Sequence, residues 1–237
     1  AELFELWPAS GEVREHLLPP TLNGEPVEEP NFVYHACELD RVYYSNSRNP
    51  LIWVWDTETD RIVETLDLIE RGDAVMGDTV YILARSAEQR RLYVGMYGSR
   101  HMIVIDEDTF ETVEQRDLSA HLFDLHIDEQ ERFLYSPAWF RGRIFQVDLS
   151  TLELVSEFAG PVHARRLETS PDGRTLYVAS YLTGELWIYD TRTSALLDQL
   201  YVAPKPEGLA VTESFVYLST ANGIFRLPRS SLASAAE

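Results

Sequence analysis

The chain has 237 residues, of which 39 are acidic and 20 basic, for a net charge of −19 at pH 7. That balance argues against a nucleic-acid partner, since phosphate binding needs clustered cations, and no apolar run approaches the length needed for a membrane span. Cys37 is the single cysteine, which rules out an internal disulfide, and 45% hydrophobic residues are enough for one sizeable all-β core.

From the N-terminus, AELFELWPASGEVREHL (1–17) lines up with GELWIYDTRTSALLDQL (184–200). The alignment predicts a third strand at 3–7 and an outermost fourth strand at 13–17, so residues 1–18 are closing strands. Residues 19–30, rich in proline and glutamate, read as an irregular connector. Full units are expected at 31–68, 73–118, 121–158 and 164–201, and a partial unit at 207–227 supplies first, second and third strands. Residues 228–237 form a small polar tail.

The unit is clearest at 172–199, DGRTLYVASYLTGELWIYDTRTSALLDQ. Strands are expected at 175–180, 185–190 and 195–200, rich in β-branched and aromatic residues. Asp172-Gly173 makes the turn before them, and the Asp190 carboxylate is placed to cap the amides of the 191–194 turn. Tyr93, Tyr135 and Tyr177 recur at 42-residue intervals, as do Asp106, Asp148 and Asp190. Asp56 precedes Asp106 by 50, which places an insertion around 71–79. A period near 40 made of four short strands is the signature of a propeller blade, because one such sheet cannot bury its own faces. Complementary partial units at the two ends point to a single five-bladed β-propeller of four-stranded antiparallel blades, with an incomplete six-bladed ring as the alternative.

DGRTLYV…GELWIYDTRTSALL resembles the YVTN-type β-propeller repeat, and Met102-Ile103-Val104-Ile105-Asp106 is similar to its V-x-V-I-D strand. The resemblance covers about 39–200. It implies the propeller fold and leans towards an extracytoplasmic location. Because this repeat serves surface-layer proteins, lyases and amine-dehydrogenase subunits alike, it implies no one activity.

In propellers of this resemblance, loops joining strands two and three share a face with the crossings between blades. Sorting the loops by that rule separates the charges. The loops of the other face carry Asp40, Asp56, Asp106, Asp148, Asp172, Asp190 and further carboxylates, which serve solubility and hairpin capping. The second-to-third-strand loops SNSRNP, YGSRH, AWFRGR and YLTG hold no carboxylate. They present Arg48, Tyr97, Arg100, His101, Trp139, Phe140, Arg141, Arg143 and Tyr181, and the crossings add Arg165, Arg166 and Lys205. Arginine recognises carboxylate or phosphate through a planar fork, and aromatic rings add flat contact area. These twelve residues are the candidate ligand site, and their structural alternative is pairing with acids of neighbouring blades.

His121 and His163 occupy equivalent positions entering adjacent inner strands, and His126 aligns with Glu168 further along. His121 and His163 are the catalytic candidates, although no H-x-x-x-H or C-x-x-C spacing marks a metal site. No cofactor motif, glycine-rich phosphate loop or G-x-S-x-G elbow occurs. Cys37 reads as core, and Trp53, Trp55 and Trp187 as packing between blades. Two functions are therefore in play. One is a module that binds an anionic small molecule or the acidic segment of a partner protein. The other is a lyase or oxidoreductase-type enzyme, or a subunit of one, with its site at the channel mouth.

Overall fold

The computed structural model describes the backbone of residues 2–7, 12–17, 21–22, 25–26, 30–46 and 49–233, and the side chains of 32–45 and 49–233. The fold is all-β and of the β-propeller class, built from antiparallel meander sheets. The chain divides into two compact units, Ala1–Tyr81 and Ile82–Glu237. No helix is long and apolar enough to cross a membrane among the described residues.

In the first unit, β1 (Glu2–Trp7) pairs with β2 (Glu12–Leu17), and β3 (Thr21–Leu22) with β4 (Glu25–Pro26). The expected third and fourth strands at the N-terminus are thus partners of each other, and the connector contains a short hairpin. The blade of this unit is β5 (Pro30–Ala36), β6 (Arg41–Asn46), β7 (Leu51–Asp56) and β8 (Arg61–Asp67), paired in that order. Its core gathers Val42, Tyr44, Leu51, Trp53 and Trp55. Cys37 opens a 3-10 turn after β5 and is exposed. The expectation that it belongs to the core fails because the strand ends one residue before it. The insertion read around 71–79 falls in turns between β8 and β9 (Val80–Ser86), and the first strand of the unit expected at 73–118 begins at Val80.

The boundary between the units falls within β9, whose sheet continues with β10 (Arg91–Met96), β11 (His101–Asp106) and β12 (Thr112–Asp117). The next blade holds β13 (His126–Ile127), β14 (Phe133–Ala138), β15 (Arg143–Asp148) and β16 (Leu154–Ala159). Then come β17 (Ala164–Thr169), β18 (Thr175–Ser180), β19 (Glu185–Asp190) and β20 (Leu196–Tyr201). A three-stranded sheet follows, of β21 (Gly208–Val211), β22 (Phe215–Thr220) and β23 (Gly223–Pro228). Among the described residues there are thus five blade sheets, four of four strands and one of three. The strand expected at 195–200 lies one residue later, because Asp190 and Thr193 hold the turn through Ser194.

The middle strands of the four-stranded sheets are buried on both faces. In β18 every residue is buried, and the two-residue alternation of a strand sends successive side chains opposite ways. Leu176 and Val178 join Tyr135, Ile144 and Tyr189, whereas Tyr177 and Ala179 join Ile188, Val216 and Leu218. The periodic tyrosines have the same role in each full blade. Tyr43, Tyr93, Tyr135 and Tyr177 are all at most 1% exposed.

The hairpin between third and fourth strands follows one design four times. Asp56, Asp106, Asp148 and Asp190 each accept from the amide and hydroxyl of the threonine three residues on, namely Thr59, Thr109, Thr151 and Thr193. The residue after each threonine, Asp60, Phe110, Leu152 or Ser194, has a φ between 56° and 58°, and a bulge follows in each ladder. All four carboxyls lie below the usual carboxylate range: the threonine amide and hydroxyl lower Asp56 and Asp106, the Ser150 hydroxyl and then the Thr151 amide lower Asp148, and at Asp190 the Thr193 bonds act against desolvation. Much of the chain's acidity on this side is therefore hairpin chemistry. Asp190→Ala is expected to cost about 1–2 kcal/mol by removing two charge-assisted bonds, readable as a lower urea midpoint. An unchanged midpoint would show that the threonine turn stands by itself.

Candidate functional site

Within the second unit, crossings and second-to-third-strand turns are stitched together by main-chain bonds. Trp139 N–H donates to His121 C=O (3.3 Å), His163 N–H to Trp139 C=O (2.8 Å) and Tyr181 N–H to His163 C=O (3.0 Å). The loop rule used on the sequence is therefore observed in these blades. Arg100, Gly142 and Gly184 take the left-handed conformation at equivalent places in their turns, with φ of 65°, 58° and 73°. At Gly184 a Cβ would stand 2.6 Å from the Ala203 carbonyl oxygen, so the turn can close only on glycine there.

These turns carry an aromatic residue at one repeated position, Tyr97, Trp139 and Tyr181, and the crossings a basic one, His121, His163 and Lys205. The side chains meet accordingly. The Tyr97 and His121 rings lie 4.7 Å apart, and Trp139 stacks on His163 at 4.9 Å with 25° between planes. The other face of the repeat is filled by the residue two positions after each histidine. Phe123 stacks on Trp139 at 4.0 Å, and Arg165 lies over the Tyr181 ring at 5.7 Å. Phe140 packs edge-on against both imidazoles, at 5.7 Å from His121 and 5.6 Å from His163, and is 58% exposed. His121 Nδ1–H donates to the Tyr97 carbonyl (2.6 Å), leaving Nε2 with the lone pair of the neutral ring.

The structure brings together Tyr97, His121, Trp139, Phe140, His163, Arg165 and Tyr181 from the sequence-derived set. Arg100, Arg141 and Lys205 are exposed around them. Arg143 starts β15 and pairs at 3.7 Å with Glu157 across the sheet. His101 sits opposite Asp117 on β12. Asp117 is held below the usual carboxylate range by the Ser119 amide and hydroxyl, with smaller help from His101 and Arg100. Arg166 turns inward to Asp124 at 3.7 Å. Arg48 lies outside the described residues.

Two features escaped the loop-based reading. Phe123 completes the Trp139 stack, and its signal was the register shared with Arg165. The other is a polar pair on the inner strands: His126 Nδ1 lies 3.7 Å from Glu168 Oε2. Thr169 donates its amide (3.0 Å) to His126 Nε2, which also lies 2.8 Å from the Thr169 hydroxyl oxygen. The ring proton is thereby placed on Nδ1, facing the carboxyl. Burial pushes His126 down to about 4 and, with Asp124 and Glu129 nearby, pushes Glu168 up to about 7. No group of three or more His, Cys, Asp or Glu side chains is arranged to hold a metal ion among the described residues.

No family model matches the sequence. Over 124 residues, 51% of this chain, it is 31% identical to a dihydro-heme d1 dehydrogenase of Pseudomonas aeruginosa. The matched part is 24% of that protein, so the chain spans about a quarter of the length of the curated relative it matches.

Proposed function

We propose that the chain is a ligand-binding β-propeller module, of YVTN-type repeats, whose aromatic and cationic turns hold a flat anionic small molecule. The observation that carries this is the row of stacks, Tyr97 with His121, Trp139 with His163 and Arg165 with Tyr181, in a chain of net charge −19. Stacked rings already spaced to lie flat cost little ordering on binding, and arginines beside them match carboxylates. The relative's name supports a ligand class: a heme d1-type tetrapyrrole is flat and carries carboxylates. The same name favours a second reading, an oxidoreductase in which Nε2 of His121 meets the substrate. An acidic segment of a partner protein would use the same arginines without needing the stacks.

Protoporphyrin IX, a flat dicarboxylate, is a suitable probe. Titration into the protein is expected to quench tryptophan fluorescence saturably, with affinity falling as salt rises, since exposed charges are screened beyond ~8–10 Å. Arg141→Ala with Arg143→Ala should weaken binding roughly five- to tenfold, the value of two rim charges. Asp106→Asn with Asp108→Asn, on the opposite turns, should leave it unchanged. Absence of saturable quenching, or equal effects of the two pairs, would overturn the proposal.

A further inference from the structure

The inner segments of two neighbouring blades read HLFDLHI (121–127) and HARRLET (163–169), in register at the 42-residue period. At two positions beyond the histidine the segments carry complementary ionisable groups, while Arg165 stands opposite Phe123 in the register. Asp124 stands at the position of Arg166, and the two pair at 3.7 Å; His126 stands at the position of Glu168, and these also pair at 3.7 Å. The strands are irregular at this place. Of the first segment only His126–Ile127 forms a ladder, Leu122 making an isolated bridge to Ala138, and β17 is bulged between Ala164 and Arg166. Asp124 bonds across to the next blade instead, accepting from the Leu167 amide at 2.9 Å.

Arg166 and Glu168 are two residues apart on β17, on one face and ~7 Å apart along the strand. Both side chains are about one-third exposed, at 33% and 32%, whereas Asp124 is 10% exposed. The Arg166 guanidinium contacts only Asp124 and the Arg165 carbonyl (3.1 Å) among its described polar partners, and it has five N–H donors. An anionic group entering here meets a guanidinium already shared with one carboxyl and flanked by a second.

We propose that Arg166, Asp124 and Glu168 form a proton-coupled anion site: a ligand's anionic group draws Arg166 from Asp124, and the two carboxyls take up a proton as it binds. This rests on the binding function proposed above, and it assigns Arg166 to the ligand and its acidic neighbours to the pH dependence of that binding. No bond to carbon and no electron is involved. One proton passes from solvent to a carboxylate oxygen, so that the incoming negative charge is offset.

The surroundings set the sign. Asp124 is buried, which raises it to about 6 against the opposing pull of Arg166, the Leu167 and Leu125 amides and Arg165. Glu168, raised to about 7, faces Asp124, Glu129 and His126. Tyr135 on β14 and Tyr177 on β18 are the ladder partners of His126 and Glu168, and β21, also packed on β17, carries no ionisable side chain. Withdrawing Arg166 and adding an anion both favour the protonated carboxyls. Above pH 7 the unliganded pair is largely ionised, so binding there takes up a proton. Affinity then rises as pH falls, by up to tenfold per unit, and levels off once the unliganded pair is itself protonated.

The test titrates protoporphyrin IX into the full chain from pH 6.5 to 8.5, with calorimetry at pH 7.5 in two buffers of different ionisation enthalpy. Wild type is expected to gain affinity towards pH 6.5 and to take up at least about half a proton at pH 7.5. Glu168→Gln should flatten part of the slope, and Asp124→Asn with Glu168→Gln the whole contribution of the pair. Any share of His121 and His163 persists in these variants and cancels in the comparison. If the double variant fails to fold, Glu168→Gln alone decides. Equal slopes and equal proton uptake in variant and wild type would overturn the proton-coupled site and leave the binding function standing. No binding to wild type at any pH would overturn the binding function itself.

Discussion

Trp53→Ala is expected to lower the free energy of unfolding by about 3–5 kcal/mol, the usual cost of emptying a buried indole. Trp53 has no exposed surface, stacks on Tyr44 at 5.1 Å and sits among Val42, Leu51 and Trp55. It lies on β7, which is paired on both sides, by β6 and β8. The backbone there cannot collapse into the space without giving up ladder bonds, so the cavity persists. Urea denaturation should show the drop as a lower midpoint with an unchanged slope. A midpoint within error of wild type would mean that the packing of this blade is wrongly described. Trp187, expected from sequence to pack in the same way, is only partly buried and its indole N–H donates to Glu185 (3.0 Å), so its truncation should cost clearly less.

Trp139→Ala is the variant expected to damage binding most. It deletes the ring held between Phe123 and His163, and takes from Phe140 one of its edge contacts. Loss of a central, enclosed aromatic anchor costs about 2 kcal/mol or more, which is roughly 30-fold in affinity for protoporphyrin IX. Because Trp139 is 8% exposed, the truncation also costs stability, and Trp139→Phe provides the control. Phenylalanine retains a flat ring on His163 and should recover most of the affinity. If Trp139→Ala binds the probe as wild type does while remaining folded, the stacks are packing alone and the ligand lies elsewhere.

The repeat was legible because the blade imposes local chemistry at a fixed distance. Asp106, Asp148 and Asp190 recur because each must cap a threonine turn, and Tyr93, Tyr135 and Tyr177 because each middle strand is buried on both faces. The turn Asp-x-x-Thr was visible in part, through Asp190. Its left-handed fifth residue was not, since Asp60, Phe110, Leu152 and Ser194 share no side-chain type that announces a positive φ. Cys37 was misplaced for a related reason. Whether a residue is the last of a strand or the first of a turn is decided by ladder pairing with Arg41–Asn46, which apolar pattern alone does not register.

The candidate site divides along the same line. The sequence by itself determined which turns carry aromatic and basic residues and that they repeat at 42, because side-chain identity at equivalent positions needs no coordinates. Only the tertiary structure decided what those residues do with one another. It sent Arg143 to Glu157 and Arg166 to Asp124, set Phe123 against Trp139, and drew His126 to Glu168. Each of these contacts is made across a sheet, between an inner segment and a turn, or between inner segments 42 residues apart, over distances of 3.7 to 4.0 Å. Such separations depend on how the strands twist and where their ladders break, and no local pattern in the chain encodes them.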